Sequence, residues 1–147
     1  MSSVPAVLAA LVTLATATLP NSQVINGGIG TATTTTGRFL LVGDDEILIE
    51  RQFDSMSNVT FSEEYVVPLT VGADLPGTDQ AAADTQALAD YETFLQAVAD
   101  HPQGPTLGLG DGVSVLPVGS HRFVRLADEN GRHAAVRFGV RVYSQLS

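Results

Sequence analysis

Two segments of the chain repeat apolar residues at the period of an α-helix. From about residue 4 to 19, large apolar side chains approximate one helical stripe, with alanine and threonine opposite. The second segment runs from about 79 to 100 and ends before Pro102. Its stripe consists of apolar side chains at helical spacing: Leu88, Tyr91, Leu95 and Val98. Both segments are predicted to be helices, with Tyr91 and Phe94 packed in a core rather than stacked on a ligand.

Alternation with a period of two predicts strands. From Phe61 to Val71, one face of the run is apolar and Glu63 is the misfit on that face. Pro68 cannot donate a backbone hydrogen bond, which predicts an edge position or a bulge. Shorter strand-like runs occur in "QVING" and at Phe39–Val42, Ile47–Ile49 and Val113–Val118.

The last strands form a hairpin whose register follows from the apolar pattern. A two-residue Asn130-Gly131 loop would pair Arg125 with Val136. A three-residue loop that begins at Glu129 pairs Val124 with Val136 instead. The register set by the three-residue loop places six apolar residues on one face: Val124, Leu126, Val136, Phe138, Val140 and Val142. The opposite face would carry Arg125, Arg137, Arg141 and Tyr143. We predict this second register because the alternative turns apolar side chains to water.

These elements predict a single α+β domain over residues 1–147. A mixed or antiparallel sheet of about four to six strands packs against an N-terminal helix and a central helix, and a hairpin at about 121–145 ends the chain. At 147 residues the chain is long enough to bury one core.

Charge is distributed unevenly along the chain. Residues 1–121 carry fourteen acids against two arginines, a formal charge of −12, and residues 122–147 carry two acids against five arginines, +3, which together give the net −9. All seven basic side chains are arginines. Such a balance, with a pI near 4.4, disfavours a nucleic-acid-binding function, because DNA repels an acidic surface.

Signals for chemistry are weak. Cysteine is absent, and the three histidines do not have metal-ligand spacing. Gly28 and Gly30 lie in a polar loop without the spacing of a phosphate-binding motif. The triplet Asp44, Asp45 and Glu46 fits a solvated turn better than a site for a hard cation. "PVGSHR" lacks the second glycine of a nucleophile elbow, so we expect neither catalysis nor a bound cofactor or metal.

The apolar N-terminus has two interpretations. The run before Pro20 is typical of a signal peptide, but no Lys or Arg precedes Arg38. The run is also short and interrupted by threonine for a membrane span. We expect a helix of the mature protein and no membrane partner, with a secreted binding domain as the alternative if this segment is cleaved.

Several quoted stretches resemble the tail terminator proteins of long-tailed, siphovirus-type actinobacterial phages. The resemblance begins with "VPAVLAALVTLATATLPNSQVING" and continues through "FLLVGDDE" and "EEYVVPLTV". It extends through "ALADYETFLQAVADHP" and "TLGLGDGV" to the final "AAVRFGVRVYSQL". The likeness covers nearly the whole chain, and each piece is a loose pattern rather than a catalytic signature.

The resemblance implies a structural virion protein at the head-proximal end of the tail, assembled in the host cytoplasm. Such subunits form a six-fold ring that caps the tail tube, ends its polymerisation and joins it to the head-side connector or stopper. They have no cofactor and catalyse nothing. DNA passes through such a ring without sequence-specific recognition. Another head–tail connector, an adaptor or stopper ring, is the alternative within this class.

A ring of head-to-tail contacts needs two different complementary patches on each subunit. We therefore predict a subunit interface between arginines of the terminal strands and acids of a neighbouring copy, because the arginine fork pairs with carboxylates. The candidate residues are Arg122, Arg125, Arg137, Arg141, Tyr143, Asp44, Asp45, Glu46, Asp90 and Asp100. The alternative is that the arginines form the solvated face of an edge hairpin.

Overall fold

A computed structural model describes residues 2–27, 37–43, 46–53, 61–110, 112–128 and 131–146. These residues form two α-helices and seven strands: α1 Val4–Thr18, β1 Gln23–Asn26, β2 Arg38–Val42, β3 Glu50–Phe53, β4 Phe61–Leu75, α2 Gln80–Ala99, β5 Val113–Pro117, β6 Arg122–Asp128 and β7 Gly131–Leu146. The predicted α+β class is confirmed. Both helices lie within a residue or two of the predicted bounds, which is the usual uncertainty of helix ends.

The sheet is built around two long antiparallel strands, β4 and β7, which pair from Phe61 opposite Leu146 to Leu75 opposite Arg132. The strands β2 and β3 both pair with β4, and β5 and β6 both pair with β7. The strand β1 pairs in parallel with β2 at one edge. The described residues therefore form a mixed sheet of seven strands, above the predicted four to six, because two short strands lie end to end along each long one.

Pro68 lies in the central strand β4, so its predicted edge position is wrong. Its neighbour β2 ends where Val42 pairs with Leu69, and β3 begins its pairing only at Glu64. The carbonyl of Pro68 accepts a hydrogen bond from the Gly43 N–H, at 2.8 Å, beyond the end of β2. The missing N–H therefore points into the gap between β2 and β3, where the ladder does not need a donor.

Both helices pack on one face of the sheet and bury its apolar side chains. The helix α1 contributes Val7, Leu11 and Ala15, all fully buried. In α2 the Tyr91 ring lies 4.9 Å from the Phe138 ring on β7, and Phe94 is fully buried beside them. The prediction that Tyr91 and Phe94 are core residues is confirmed. Burial of a side chain such as Phe94 is worth about 2–3 kcal/mol.

The predicted hairpin register is wrong by one residue. In the structure Phe123 pairs with Val136 and Arg125 with Ala134, and Asp128 pairs with Gly131. Val124 therefore points away from the helices and is 40% exposed, whereas Arg125 points toward them. Burial does not select the register of β6, because β6 is an edge strand and its described side chains are exposed on both faces.

Gly131 has a role different from the predicted loop position. It is the first residue of β7, with a φ of 141°, and a Cβ there would lie 2.2 Å from the Leu75 carbonyl oxygen. Close approach of two backbones selects glycine here. The predicted strand Ile47–Ile49 is also wrong, since β3 begins at Glu50.

Candidate interaction surface

The sheet face opposite the helices exposes side chains of β4, β5, β6 and β7, and we call it the open face. Its apolar members are between 38% and 54% exposed: Val66, Leu116, Val124 and Tyr143. Its charged members on β4, β6 and β7 include Glu64, Asp74, Arg122, Arg137 and Arg141. Exposed apolar side chains beside charged ones are typical of a surface that contacts another protein.

Arg122 and Arg137 are direct cross-strand partners on the open face. Like charges in this position destabilise a sheet, because directly opposed Cβ atoms are only about 5 Å apart. Within the described ranges, neither guanidinium has an acidic partner at ion-pair distance. We call these two exposed residues the arginine pair.

A depression of about 690 Å³ lies beside the arginine pair. Its lining includes Val66, Pro68, Val118, Ser120 and His121. Gly139 is part of its lining and supplies no side chain, and a Cβ there would lie 2.7 Å from the Val66 side chain. The depression therefore has a mixed polar and apolar lining next to two positive charges, a combination that suits an acidic protein segment.

Arg141 and Tyr143 share the open face, as predicted, but their surroundings differ from those of the arginine pair. Arg141 lies 3.6 Å from Glu64, and both side chains are at least half exposed. Such a surface contact contributes little to stability, and its partner is exchangeable. Glu46, also predicted as an interface residue, lines a hollow with Arg141, Glu50 and Glu64. Asp44 and Asp45 fall outside the described residues.

Arg125 does not lie on the open face, which corrects its predicted placement. Its Nε is 3.0 Å from Asp84 of α2, so it joins β6 to that helix within one molecule. The shift in register is the cause, since Arg125 is opposite Ala134 on the helix-covered face.

Asp90 was predicted to contact a neighbouring copy and is instead buried. Its carboxylate accepts hydrogen bonds from Arg38 Nε at 3.0 Å and Arg38 Nη2 at 2.7 Å. The side chain is only 5% exposed, so it presents no surface to a partner. The hydrogen bond to Asp90 raises the pKa of the Arg38 guanidinium above its ordinary value, although burial opposes this. The ion pair ties β2 to α2.

Asp100 does lie on the surface, together with two residues that the sequence analysis did not single out. Glu92, Gln96 and Asp100 are exposed at every fourth position of α2 and its C-cap, and we call them the acidic ridge. Asp100 accepts a hydrogen bond from Gln96. Among the described residues, neither Glu92 nor Asp100 has a cationic partner at ion-pair distance. The spacing of four was visible in the sequence and would have identified Glu92.

A second buried carboxylate belongs to Glu63, the misfit on the apolar face of β4. Its Oε1 accepts hydrogen bonds from the Ser3 N–H at 2.7 Å, the Ser3 hydroxyl at 2.8 Å and the Ser2 hydroxyl at 3.1 Å. Arg51 Nε lies 3.5 Å from Oε2. Burial alone would raise the pKa of Glu63, but the hydrogen bonds from Ser3, Ser2 and Ser144 outweigh it and hold the pKa below its usual range. This carboxylate fixes the start of α1, where negative charge also favours the helix dipole.

The described residues lack two further features. They contain no group of three or more histidine and acidic side chains placed to hold a metal ion. None of the helices they form is long and apolar enough to cross a membrane.

Comparison with known proteins leaves the family open. The chain matches no family model. It also has no match among curated proteins. Among solved structures, it is similar to a chain from the virion of a native gene transfer agent (GTA) particle. The two are 18% identical, the alignment covers 96% of this chain and 86% of that one, and the TM-score is 0.43.

Proposed function

We propose that the protein is a structural subunit of a phage virion that forms a closed ring at the head-proximal end of the tail. In this role the ring caps the tail tube, ends its polymerisation and provides the surface that joins the head-side connector. The resemblance of the sequence to tail terminator proteins supports this role. The partners are further copies of the chain, the tail tube protein and the connector protein.

The arginine pair is the structural observation that carries the proposal. Arg122 and Arg137 face the same way from adjacent strands, and the described part of the chain supplies no acid to pair with them. The acids of the acidic ridge, in turn, have no cationic partner at ion-pair distance among the described residues. One subunit thus carries two unlike charged patches, as a head-to-tail ring requires. Such charges contribute orientation and specificity more than raw affinity.

Co-expression with the cognate tail tube protein tests the proposed role. We expect the tubes to be capped at one end and to stop growing, because a bound ring hides the surface that the next tube subunit needs. The lengths and ends of the tubes are measured by negative-stain electron microscopy. The control is the tail tube protein expressed alone. Tubes that grow equally long with and without the protein, and that carry no density at either end, would contradict the proposal.

A further inference from the structure

The arginine pair restricts the chemistry of any partner that binds it. Two guanidinium groups on directly opposed residues present forks of N–H donors, which bind carboxylates with two parallel hydrogen bonds. The adjoining depression, with a volume of about 690 Å³ and a mixed polar and apolar lining, has room for side chains of a protein segment. A net charge of −9 disfavours a nucleic acid. An acidic segment of a protein is therefore the class of partner that fits.

Some acids of α2 and its caps bind groups of the same molecule, and others are exposed to solvent. Asp79 caps the helix by accepting from the Ala82 N–H, Asp84 binds Arg125, and Asp90 binds Arg38. Glu92 and Asp100 are exposed, and the described residues offer them no cation. The C-terminal half of the helix therefore carries two carboxylates, separated by about 12 Å along the axis.

The two patches lie on opposite sides of the molecule. The helix α2 packs on the covered face of the sheet, and Glu92, Gln96 and Asp100 point away from that core. The arginine pair lies on the open face. A contact between unlike patches on opposite sides is heterologous, so it repeats from copy to copy and closes into a ring when the rotation allows.

We propose that the acidic ridge of one copy docks on the arginine pair and the adjoining depression of the next copy. This inference rests on the proposed ring and names the surfaces that join its subunits. The two patches are matched in charge, with two described carboxylates against two described guanidinium groups.

Other acids of the chain are less suitable partners. Glu46, Glu50 and Glu64 surround a hollow next to Arg141, on the same side of the sheet as the arginine pair. Their use would join two copies open face to open face, which gives an isologous pair rather than a ring. Glu64 is also already in contact with Arg141.

Charge exchange between two variants tests the docking. The first variant carries Arg122→Glu with Arg137→Glu, and the second carries Glu92→Arg with Asp100→Arg. In either variant alone like charges meet, and we expect association to weaken by roughly a hundredfold. In an equimolar mixture opposite charges meet again at every contact, so we expect closed assemblies in which the two variants alternate. Native mass spectrometry of the mixture counts each variant, and circular dichroism checks that each is folded.

A matched control separates the two acidic surfaces. The variant Glu46→Arg with Glu50→Arg reverses the charge of two acids on the side of the sheet opposite the acidic ridge. We expect that this variant does not restore assembly with the first variant. Restoration by this control, or failure of the α2 variant to restore it while the wild type assembles, would overturn the docking and leave the ring intact. Absence of wild-type assembly under every condition would contradict the ring and the docking together. If the first variant loses a DNA-binding activity of the wild type and the mixture does not restore assembly, the arginine pair would be a nucleic-acid contact instead.

Discussion

Replacing Asp90 by asparagine is expected to lower the free energy of unfolding by about 3 kcal/mol, because it removes one partner from a buried ion pair. Asp90 accepts two hydrogen bonds from Arg38 and a third from Gln86 Nε2 at 3.1 Å. The amide is neutral, and it places N–H donors where the guanidinium also presents donors. Arg38 is 26% exposed, so water compensates only part of the loss. Urea unfolding measures the change as a lower midpoint with an unchanged m-value.

Two controls make this prediction specific. Glu92→Gln changes an exposed acid of the same helix, and we expect a change within about 0.5 kcal/mol. The double variant Arg38→Met with Asp90→Leu removes both charges, and we expect it to recover much of the lost stability, since apolar residues of similar size often replace a buried pair without cost. A loss below about 1 kcal/mol in Asp90→Asn would show that the pair does not hold β2 against α2.

Replacing Glu63 by glutamine is expected to destabilise the protein by about 2 kcal/mol near neutral pH. The charged carboxylate accepts from Ser2, Ser3 and Ser144 in a site that is only 1% exposed, and an amide oxygen is a weaker acceptor there. We expect the loss to appear first at the start of α1, because the Ser3 backbone N–H bonds directly to this carboxylate. Hydrogen exchange of the α1 amides measures that local effect.

The contribution of Glu63 depends on pH with a defined sign. Its pKa in the folded state lies below the ordinary value of 4.5, so the folded state favours the ionised form. The stabilisation is therefore fully present above about pH 4.5 and is lost as the pH falls through the folded pKa. Urea unfolding of the wild type and Glu63→Gln should give a difference that is constant from about pH 7 to pH 5 and shrinks below that.

The neighbouring residue provides the control for this titration. Glu64 is exposed on β4, and Glu64→Gln should change stability little at any of these pH values. A difference between wild type and Glu63→Gln that stays constant down to about pH 3 would show that the hydrogen bonds do not favour the ionised carboxylate.

Local patterns in the sequence predicted much of the fold. The helical stripe around Leu88 and Tyr91 predicted α2, and the alternation from Tyr65 to Val71 predicted the buried face of β4. These predictions succeed because burial of a periodic apolar face dominates the stability of such elements. Arg137, Arg141 and Tyr143 were placed on one face of β7 by the same alternation.

The failures concern contacts between distant parts of the chain. Arg38 and Asp90 are 52 residues apart, so no local pattern indicates that this acid is buried and paired. The register of β6 brings Arg125 to Asp84 of α2 and leaves Val124 exposed, an outcome that the apolar pattern of β6 alone does not predict. Pro68 tolerates a central strand only because β2 ends beside it. In each case a tertiary partner overrides a local rule.

The arginine pair could be predicted only in part from the sequence. The excess of arginine after residue 121 was visible from the charge count, and it predicted a basic surface. The direct pairing of Arg122 with Arg137 depends on the register of β6 and required the structure. The acidic ridge lies along α2, a helix that was predicted correctly. The structure was needed to show that Glu92 and Asp100 are exposed whereas Asp90 is buried.

The central claim is that unlike charged patches join copies of this chain into a closed ring. Its most direct test is the native mass of the purified wild-type protein, measured by light scattering over a range of protein and salt concentrations. We predict one discrete oligomer whose fraction falls as salt rises, because screening weakens contacts between exposed charges. A monomer at every protein and salt concentration would contradict the claim.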